Sequence, residues 1–236
     1  MTGDAQITSQ FYATSQGVVV ARLLRARLAQ MWPDASGMTV LGLGYAGPYL
    51  RPYLTEARTC LALTPAQTGV ARWPVGEPCL SCTSEEDALP FPDLSFDRVL
   101  LVHGLEAAEN ARKLLREAWR VLKDDGRLLV VAPNRRGWWA HVDSTPFGQG
   151  QPYSPGQIGR LLKSSLFRIE RRDTALFVPP MRLRLVLRGA PLWESTGRFL
   201  APQFAGVTIT EASKDLYSAI PVGGIARRRL VFTEAG

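Results

Sequence analysis

Asp87-Ala-Leu-Pro-Phe-Pro-Asp-Leu-Ser-Phe-Asp-Arg-Val-Leu-Leu-Val-His103 contains the clearest strand of the chain. Val99 to Val102 are continuously apolar, as expected for a strand covered on both faces of a parallel sheet, so a strand is predicted over Phe96–His103. Upstream, Met38–Leu43 is a second short apolar run. It ends in a glycine-containing loop, Gly44–Pro48. Arg58–Leu63 and Pro78–Thr83 are further strand candidates. Downstream, Asn110 can cap a helix running to Lys123, with Leu114, Leu115, Ala118, Trp119, Val121 and Leu122 as its buried stripe. Asp125-Gly126 is read as its glycine-permitted end. Leu128–Ala132 is the next apolar strand, closed by Pro133.

Working outward, Val18–Met31 has apolar residues at helical spacing with arginines between them, and Trp32-Pro33 stops it. Tyr49–Leu54 opens another helix, with Pro52 in its first turn. Ser154 and Pro155 are an N-cap and first helical residue. Phe167–Val178 and Gly206–Ala212 read as antiparallel strands, and Met181–Phe204 between them as part helix, part loop. Strand–helix alternation followed by two late strands implies an α/β fold: a Rossmann-like, mostly parallel seven-stranded sheet with an antiparallel edge pair and helices on both faces. Residues 1–236 are read as one domain. It comprises an N-terminal helical segment (1–36), a ligand-binding half (37–135), a substrate-side half with a lid (136–220) and a basic tail (221–236). In such sheets ligands bind beyond the carboxyl ends of the strands. That rule gathers Gly44–Gly47, Thr64, Glu85–Ala88, His103–Glu106 and Pro133–Gly137 around one crevice.

Composition narrows the class. The chain has 236 residues, 46% hydrophobic and 21% charged, ordinary for a globular protein with a substantial core. No run of eighteen apolar residues predicts a membrane span. Met1–Tyr12 lacks the basic-then-apolar layout of a secretory signal, and a cytoplasmic location is expected. Three cysteines are too few for a disulfide scaffold, and Cys79-x-x-Cys82 lacks the further ligands a zinc site needs, so no metal is expected. The net charge of +7 is compatible with nucleic acid, anionic lipid or acidic partners. The arginine clusters are scattered along the chain without an RNA-binding motif, which equally describes a solvated surface.

Three stretches resemble the class I S-adenosylmethionine-dependent methyltransferases, of the methyltransferase type 11 kind that includes small-molecule enzymes of the menaquinone-pathway type. Asp87–Asp97 matches the family's acidic residue, Leu-Pro-Phe, turn and Phe-Asp before the fourth strand. Leu114–Leu122 with Lys123–Val131 matches the following helix and fifth strand. Val40-Leu-Gly-Leu-Gly-Tyr-Ala-Gly47 stands where the family has its glycine loop. The resemblance implies S-adenosyl-L-methionine as cofactor and an acceptor of small-molecule or lipid-like type. It places Gly42, Gly44, Tyr45, Ala46, Thr64, Glu86, Asp87, Ala88 and His103 around the cofactor. Gly44 is the residue best placed for close backbone approach, and Phe91 and Leu89 either cover the adenine or pack in the core.

The sequence also departs from that pattern. The family has an acid where Gly42 stands, a glycine where Ala46 stands, and an acid at the tip of the second strand that grips the ribose hydroxyls. Here that tip reads Leu61-Ala-Leu-Thr64-Pro-Ala-Gln67. Losing a charge-assisted bond costs about 1.5–3 kcal/mol, roughly ten- to hundredfold in affinity, with Tyr45 as the residue able to compensate. A methyltransferase fold working as a scaffold is therefore a rival reading, and an RNA methyltransferase a third. Methyl transfer can run on proximity and orientation alone. If a base is used, His103 and Glu106 after the fourth strand and His141 and Tyr153 in the later loop are the candidates. Asn134, Arg135 and Arg136 could hold an anionic substrate. Trp138–Tyr153, aromatic and turn-rich, is read as either a substrate lid or a packed surface loop. The Asn-Pro-Pro-Tyr type of motif seen in amino-methylating enzymes is absent after the fourth strand, which weighs against an amide or adenine nitrogen as acceptor.

Overall fold

The computed structural model describes residues 3–66, 72–74, 76–181 and 183–216. Gln67, Arg182 and the basic tail from Pro221 lie outside the described residues. Two helices come first, α1 (Gly3–Ala13) and α2 (Ser15–Met31). Thr14 separates them, its Oγ1 accepting from Gly17 N at 3.0 Å. This cap starts α2 three residues before the apolar period does. The strands are β1 (Thr39–Gly44), β2 (Thr59–Pro65), β3 (Ser81–Ser84), β4 (Phe96–Val102), β5 (Leu122–Pro133), β6 (Phe167–Ala175) and β7 (Val207–Lys214). They form one seven-stranded sheet in the order β3-β2-β1-β4-β5-β7-β6. β1 to β5 are parallel, and β7 runs antiparallel to both β5 and β6, the architecture expected from the pattern.

The continuous apolar runs follow from coverage on both faces. Val40, Leu100, Val102, Leu129 and Val131 pack toward Val20, Leu24 and Leu28 of α2. Their neighbours Leu41, Leu43, Val99, Leu101, Leu128 and Val130 pack toward α4 (Ala111–Val121) and α5 (Pro155–Ser164). Alternate residues of a strand face opposite ways, so both sets must be apolar. The expected caps are present. Asn110 Oδ1 accepts from Lys113 N, and Ser154 with Gln157 forms a capping box.

Two elements differ from expectation. α3 (Gly47–Leu50) is a four-residue stub continued by a 3-10 turn over Arg51–Leu54. α4 ends at Val121, not at Lys123, and Asp125-Gly126 does not cap it. Leu122 leaves the helix with φ −74° and ψ 140° to pair with Phe96, and Lys123 Nζ reaches Asp97 at 2.7 Å. Lys123–Gly126 is then the irregularity before Arg127 meets Arg98. Strand pairing outcompetes the last helical turn. After β6 the chain forms two further helices, α6 (Arg184–Arg188) and α7 (Ala190–Leu200), before entering β7.

The two motifs that carry the resemblance are clasped together. Arg120 of α4 donates from Nη1 to Phe91 O and Asp93, and from Nη2 to Leu89 O and Glu117, at 2.7–2.9 Å. Glu117 in turn accepts Leu89 N at 2.9 Å. The Leu-Pro-Phe loop is thereby fixed by residues from the second motif.

Candidate active site

β1 and β4 lie side by side, and their carboxyl ends form the floor of the crevice. Gly44 ends β1 with φ +77°, and Tyr45 N donates to Val102 O at 2.8 Å. A Cβ on Gly44 would overlap Val102 O and crowd the Gly104 backbone. The glycine is therefore demanded by the close approach of two backbone turns as well as by its dihedral angle. The packing demand stands beside the ligand approach expected of Gly44, and Gly44→Val would strain the fold itself. Gly42 and Ala46 are both buried. A Cβ on Gly42 would stand 2.6 Å from Ala46 Cβ and from Leu50 Cδ1. The two departures from the family pattern are thus one packing solution beneath the loop.

At the β4 tip His103 adopts φ +51°, a left-handed conformation uncommon outside glycine and often found at functional positions. Its side chain is 6% exposed and that of Glu106 2%. His103 Nδ1 donates to Glu106 Oε1 at 3.0 Å. With a carboxylate on Nδ1, the proton sits there and Nε2 is the acceptor. Nε2 takes the Tyr12 hydroxyl at 2.7 Å, and Tyr12 meets the Tyr49 hydroxyl at 2.5 Å. Tyr12 comes from α1 and stacks on Tyr45, ring centroids 5.3 Å apart and 14° from parallel. Burial together with Tyr49, Tyr45 and Glu106 holds the Tyr12 phenol well above its ordinary value. Glu106 Oε2 is buried with no partner among the described residues.

Of the four candidate acid–base residues, three come together. Tyr153 lies over the same end, its hydroxyl 3.5 Å from Leu105 O, and burial plus Glu106 raise its phenol. His141 does not join them. It is exposed at the end of the short Trp138–His141 turn, because neighbouring Trp139 takes the core position and donates to Val178 O at 2.7 Å.

The segment read as a lid is anchored. Phe147 is fully buried and meets His103 edge-on at 4.8 Å. Gln151 N donates to Glu106 O at 2.9 Å. Phe11 of α1 packs edge-on against Trp139 and Phe147, so α1 and this loop roof the β4 tip together.

The remaining candidates are spread along the sheet edge. Thr64, half-buried, pairs with Thr83 at the β2 tip. Glu86 is half-buried, and burial raises its carboxyl. Asp87 instead turns outward to Lys113 at 2.8 Å with 49% of its side chain exposed, and Ala88 N is engaged by Glu85 O. These contacts place both residues in the turn after β3. Leu89 is core, and half-buried Phe91 packs edge-on against Phe96 at 5.0 Å. Asn134 is likewise structural. It is buried, and its amide serves Gln203 O and Ala205 O. A separate cavity of about 470 Å³, lined by Trp32, Arg98, Arg127, Arg171 and Glu211 among others, opens at the opposite end of the strands and has no part in this site.

Tyr12, Tyr49 and Phe147 were missed by sequence reasoning. Phe11-Tyr12 is an aromatic pair in an otherwise polar segment with no amphipathic period, and only the turn at Thr14 brings it onto the strand tips.

The strand order and the crevice beyond β1 and β4 define the class I methyltransferase fold. Residues 41–130 match the family model described as a methyltransferase domain. Solved structures sharing the fold include an S-adenosylmethionine-dependent methyltransferase from Mesorhizobium loti (TM-score 0.60, 17% identity, 80% of this chain and 96% of that one). Another is a possible histamine N-methyltransferase from Thermotoga maritima (TM-score 0.55, 15% identity, 87% and 94%). A [4+2]-cyclase, SpnF, also shares it (TM-score 0.57, 20% identity, 86% and 83%). The ubiquinone/menaquinone biosynthesis C-methyltransferase UbiE of Pseudoalteromonas translucida is 49% identical over 45 residues, 19% of this chain and 18% of that protein. The matched segment thus spans less than a fifth of this curated relative. The chain thus has the fold of the class I S-adenosylmethionine-dependent methyltransferases, with residues 41–130 matching the methyltransferase domain.

Proposed function

We propose that the chain transfers a methyl group from S-adenosylmethionine to a small-molecule acceptor with an ionisable hydroxyl or activated carbon, in the cytoplasm. The observation that carries this reading is the Glu106–His103–Tyr12 line at the β4 tip. Glu106 fixes the imidazole, and Nε2 is presented as a base toward a hydroxyl now supplied by Tyr12. An acceptor hydroxyl takes the place of that phenol when α1 shifts, and His103 Nε2 receives its proton. This is general-base assistance in the sense of a carboxylate-oriented histidine.

The cofactor fits the residues present at one telling point. The unpartnered Oε2 of Glu106 calls for a cationic or N–H partner, and the cofactor carries both an ammonium and a sulfonium. The Gly44–Gly47 turn, the Tyr45 ring, the Thr64 hydroxyl, the Glu86 carboxyl and the His103 backbone would hold it. When bound it supplies the electrophilic methyl group. Tyr12 and Phe147 exclude water from the β4 tip, and Tyr153 closes the side toward β5.

Two measurements test this. A calorimetric titration with S-adenosylmethionine is expected to show binding, accompanied by a rise in Tm. Release of S-adenosylhomocysteine with a small-molecule extract as acceptor source is expected to fall about 10²–10⁴-fold in His103→Gln and to persist in Tyr12→Phe. Unchanged turnover in His103→Gln would remove the base assignment. A specific observation favours a second reading, a cofactor-free scaffold: Gly42 is sealed by Ala46 and Leu50, and no acid stands at Thr64. Neither heat nor a Tm shift at millimolar cofactor would select it.

A further inference from the structure

α7 has two apolar faces, and only one of them touches the protein. Ala190, Glu194 and Gly197 recur at i, i+4 and i+7 and face inward. Ala190 and Glu194 are buried, and Gly197 packs where a Cβ would meet the Phe177 ring. Glu194 is consumed there by Leu176 N at 3.1 Å and Phe177 N at 2.6 Å. On the far side, Leu192 and Phe199 are seven residues apart, as are Trp193 and Leu200. At 100° per residue these pairs form a single stripe pointing away from the core. Leu192 is 71%, Phe199 87% and Leu200 69% exposed, and Leu185 of α6 is 82% exposed. A cluster of large apolar side chains in water calls for a partner.

Charge identifies that partner. Between Thr174 and Thr210 the sequence holds Arg182, Arg184, Arg188 and Arg198, and Glu194 is its sole acid. Arg184, Arg188 and Arg198 are exposed, and none has a carboxylate within ion-pair distance among the described residues. Some arginines elsewhere are paired, as in Arg27–Asp173 at 2.7 Å and Arg171–Glu211 at 3.5 Å, but what sets these three apart is the exposed apolar stripe beside them. The exposed α6–α7 surface therefore combines large apolar side chains with arginines and carries no exposed acid. We infer that it docks the protein peripherally on a membrane surface rich in anionic headgroups. Leu185, Leu192, Trp193 and Phe199 enter the headgroup–acyl boundary, and the arginines meet lipid phosphates. RNA would use the arginines and leave the leucines and phenylalanine in water. A second copy would set like-charged faces against each other, and residues 217–236 bring Arg227–Arg229 against Glu234 alone.

The test is sedimentation of the full chain with vesicles of phosphatidylcholine alone or mixed in equal parts with phosphatidylglycerol. Binding to the mixed vesicles is expected, with a blue shift of tryptophan emission and weakening as salt rises. Arg184→Gln with Arg188→Gln should lower affinity about 30-fold, from ~1 kcal/mol per arginine. Leu185→Ser with Phe199→Ser, both at exposed positions that leave Tm unchanged, should lower it by about tenfold or more. The proposal is overturned if mixed vesicles do not bind at low salt, or if the leucine and phenylalanine substitutions leave binding intact. It also fails if those substitutions instead dissolve a dimer seen by sizing while vesicle binding stays the same.

Discussion

Gly42 has no side chain, and Ala46 and Leu50 fill the volume an acidic residue would need. An acid cannot simply be restored there. Gly42→Asp is expected to cost about 1–3 kcal/mol through overpacking and an unpaired buried charge, read as a lowered midpoint in urea. The double change Gly42→Asp with Leu50→Ala should recover part of that loss and strengthen S-adenosylmethionine binding in the same titration. If the single variant is as stable as the parent, the packing account is wrong. The thiols give a second residue-scale test. Burial pushes the buried Cys60 thiol up to about 12, while the Ser81 hydroxyl lowers that of exposed Cys79. The thiolate is the reactive form, so iodoacetamide at neutral pH should modify Cys79 first and Cys60 only on unfolding, followed by mass spectrometry. Equal labelling of the two would contradict the burial of Cys60.

At the scale of elements, α4 and the loop before β4 stand or fall together through Arg120. Its guanidinium fork serves two backbone carbonyls and two carboxylates at once, a geometry an ammonium cannot copy. Arg120→Lys is expected to lose roughly 2–4 kcal/mol, with hydrogen exchange speeding up in Leu89–Ser95 ahead of the rest of the chain. The same clasp sets an acid limit. Hydrogen bonding from Arg120 holds the Glu117 carboxyl below its ordinary range. In acid the native state therefore binds fewer protons than the unfolded chain. The stabilisation is complete above the usual glutamate value and is lost as pH falls through the native one. Acid unfolding should be shifted in Glu117→Gln, which removes the titration, and an unshifted profile would exclude this contribution. The strand content, the antiparallel pair and the caps at Asn110 and Ser154 were legible because each rests on neighbouring residues. The end of α4 was not, since Leu122 leaves the helix to pair with Phe96, a partner on another strand.

For the molecule as a whole, part of the cationic surface behind the net charge of +7 is tied up in ion pairs. Arg27, Arg120, Arg127, Arg168 and Arg171 are all in ion pairs, and α6–α7 is distinguished by carrying its exposed arginines beside large exposed apolar side chains. The arginines are scattered along the chain with no RNA-binding motif, and nucleic acid should bind weakly. The slope of log K against log salt for single-stranded RNA is expected to stay shallow, near the ~−0.7 per phosphate of only a few contacts. A steep slope would restore the RNA reading. The roof over the site is also a property of the whole chain, because Phe11 and Tyr12 reach Trp139, Phe147 and His103 across most of the sequence. Much of the candidate site was legible as a neighbourhood: the glycine loop, the β4 tip and the loop carrying Tyr153. The roles within it were not, because Asp87, Ala88 and Asn134 are committed to local partners that sequence spacing does not reveal.

Unaided, the amino-acid order determined the α/β architecture and the methyltransferase resemblance. Apolar periodicity and turn chemistry act between near neighbours, and the two clasped motifs lie close together along the chain. Only the tertiary structure decided that Tyr12 faces His103, that Gly42 and Ala46 fill one another's space, and that α7 carries a second apolar face outward. Each of these depends on which distant surfaces meet, and a linear pattern of polar and apolar residues does not encode that meeting locally.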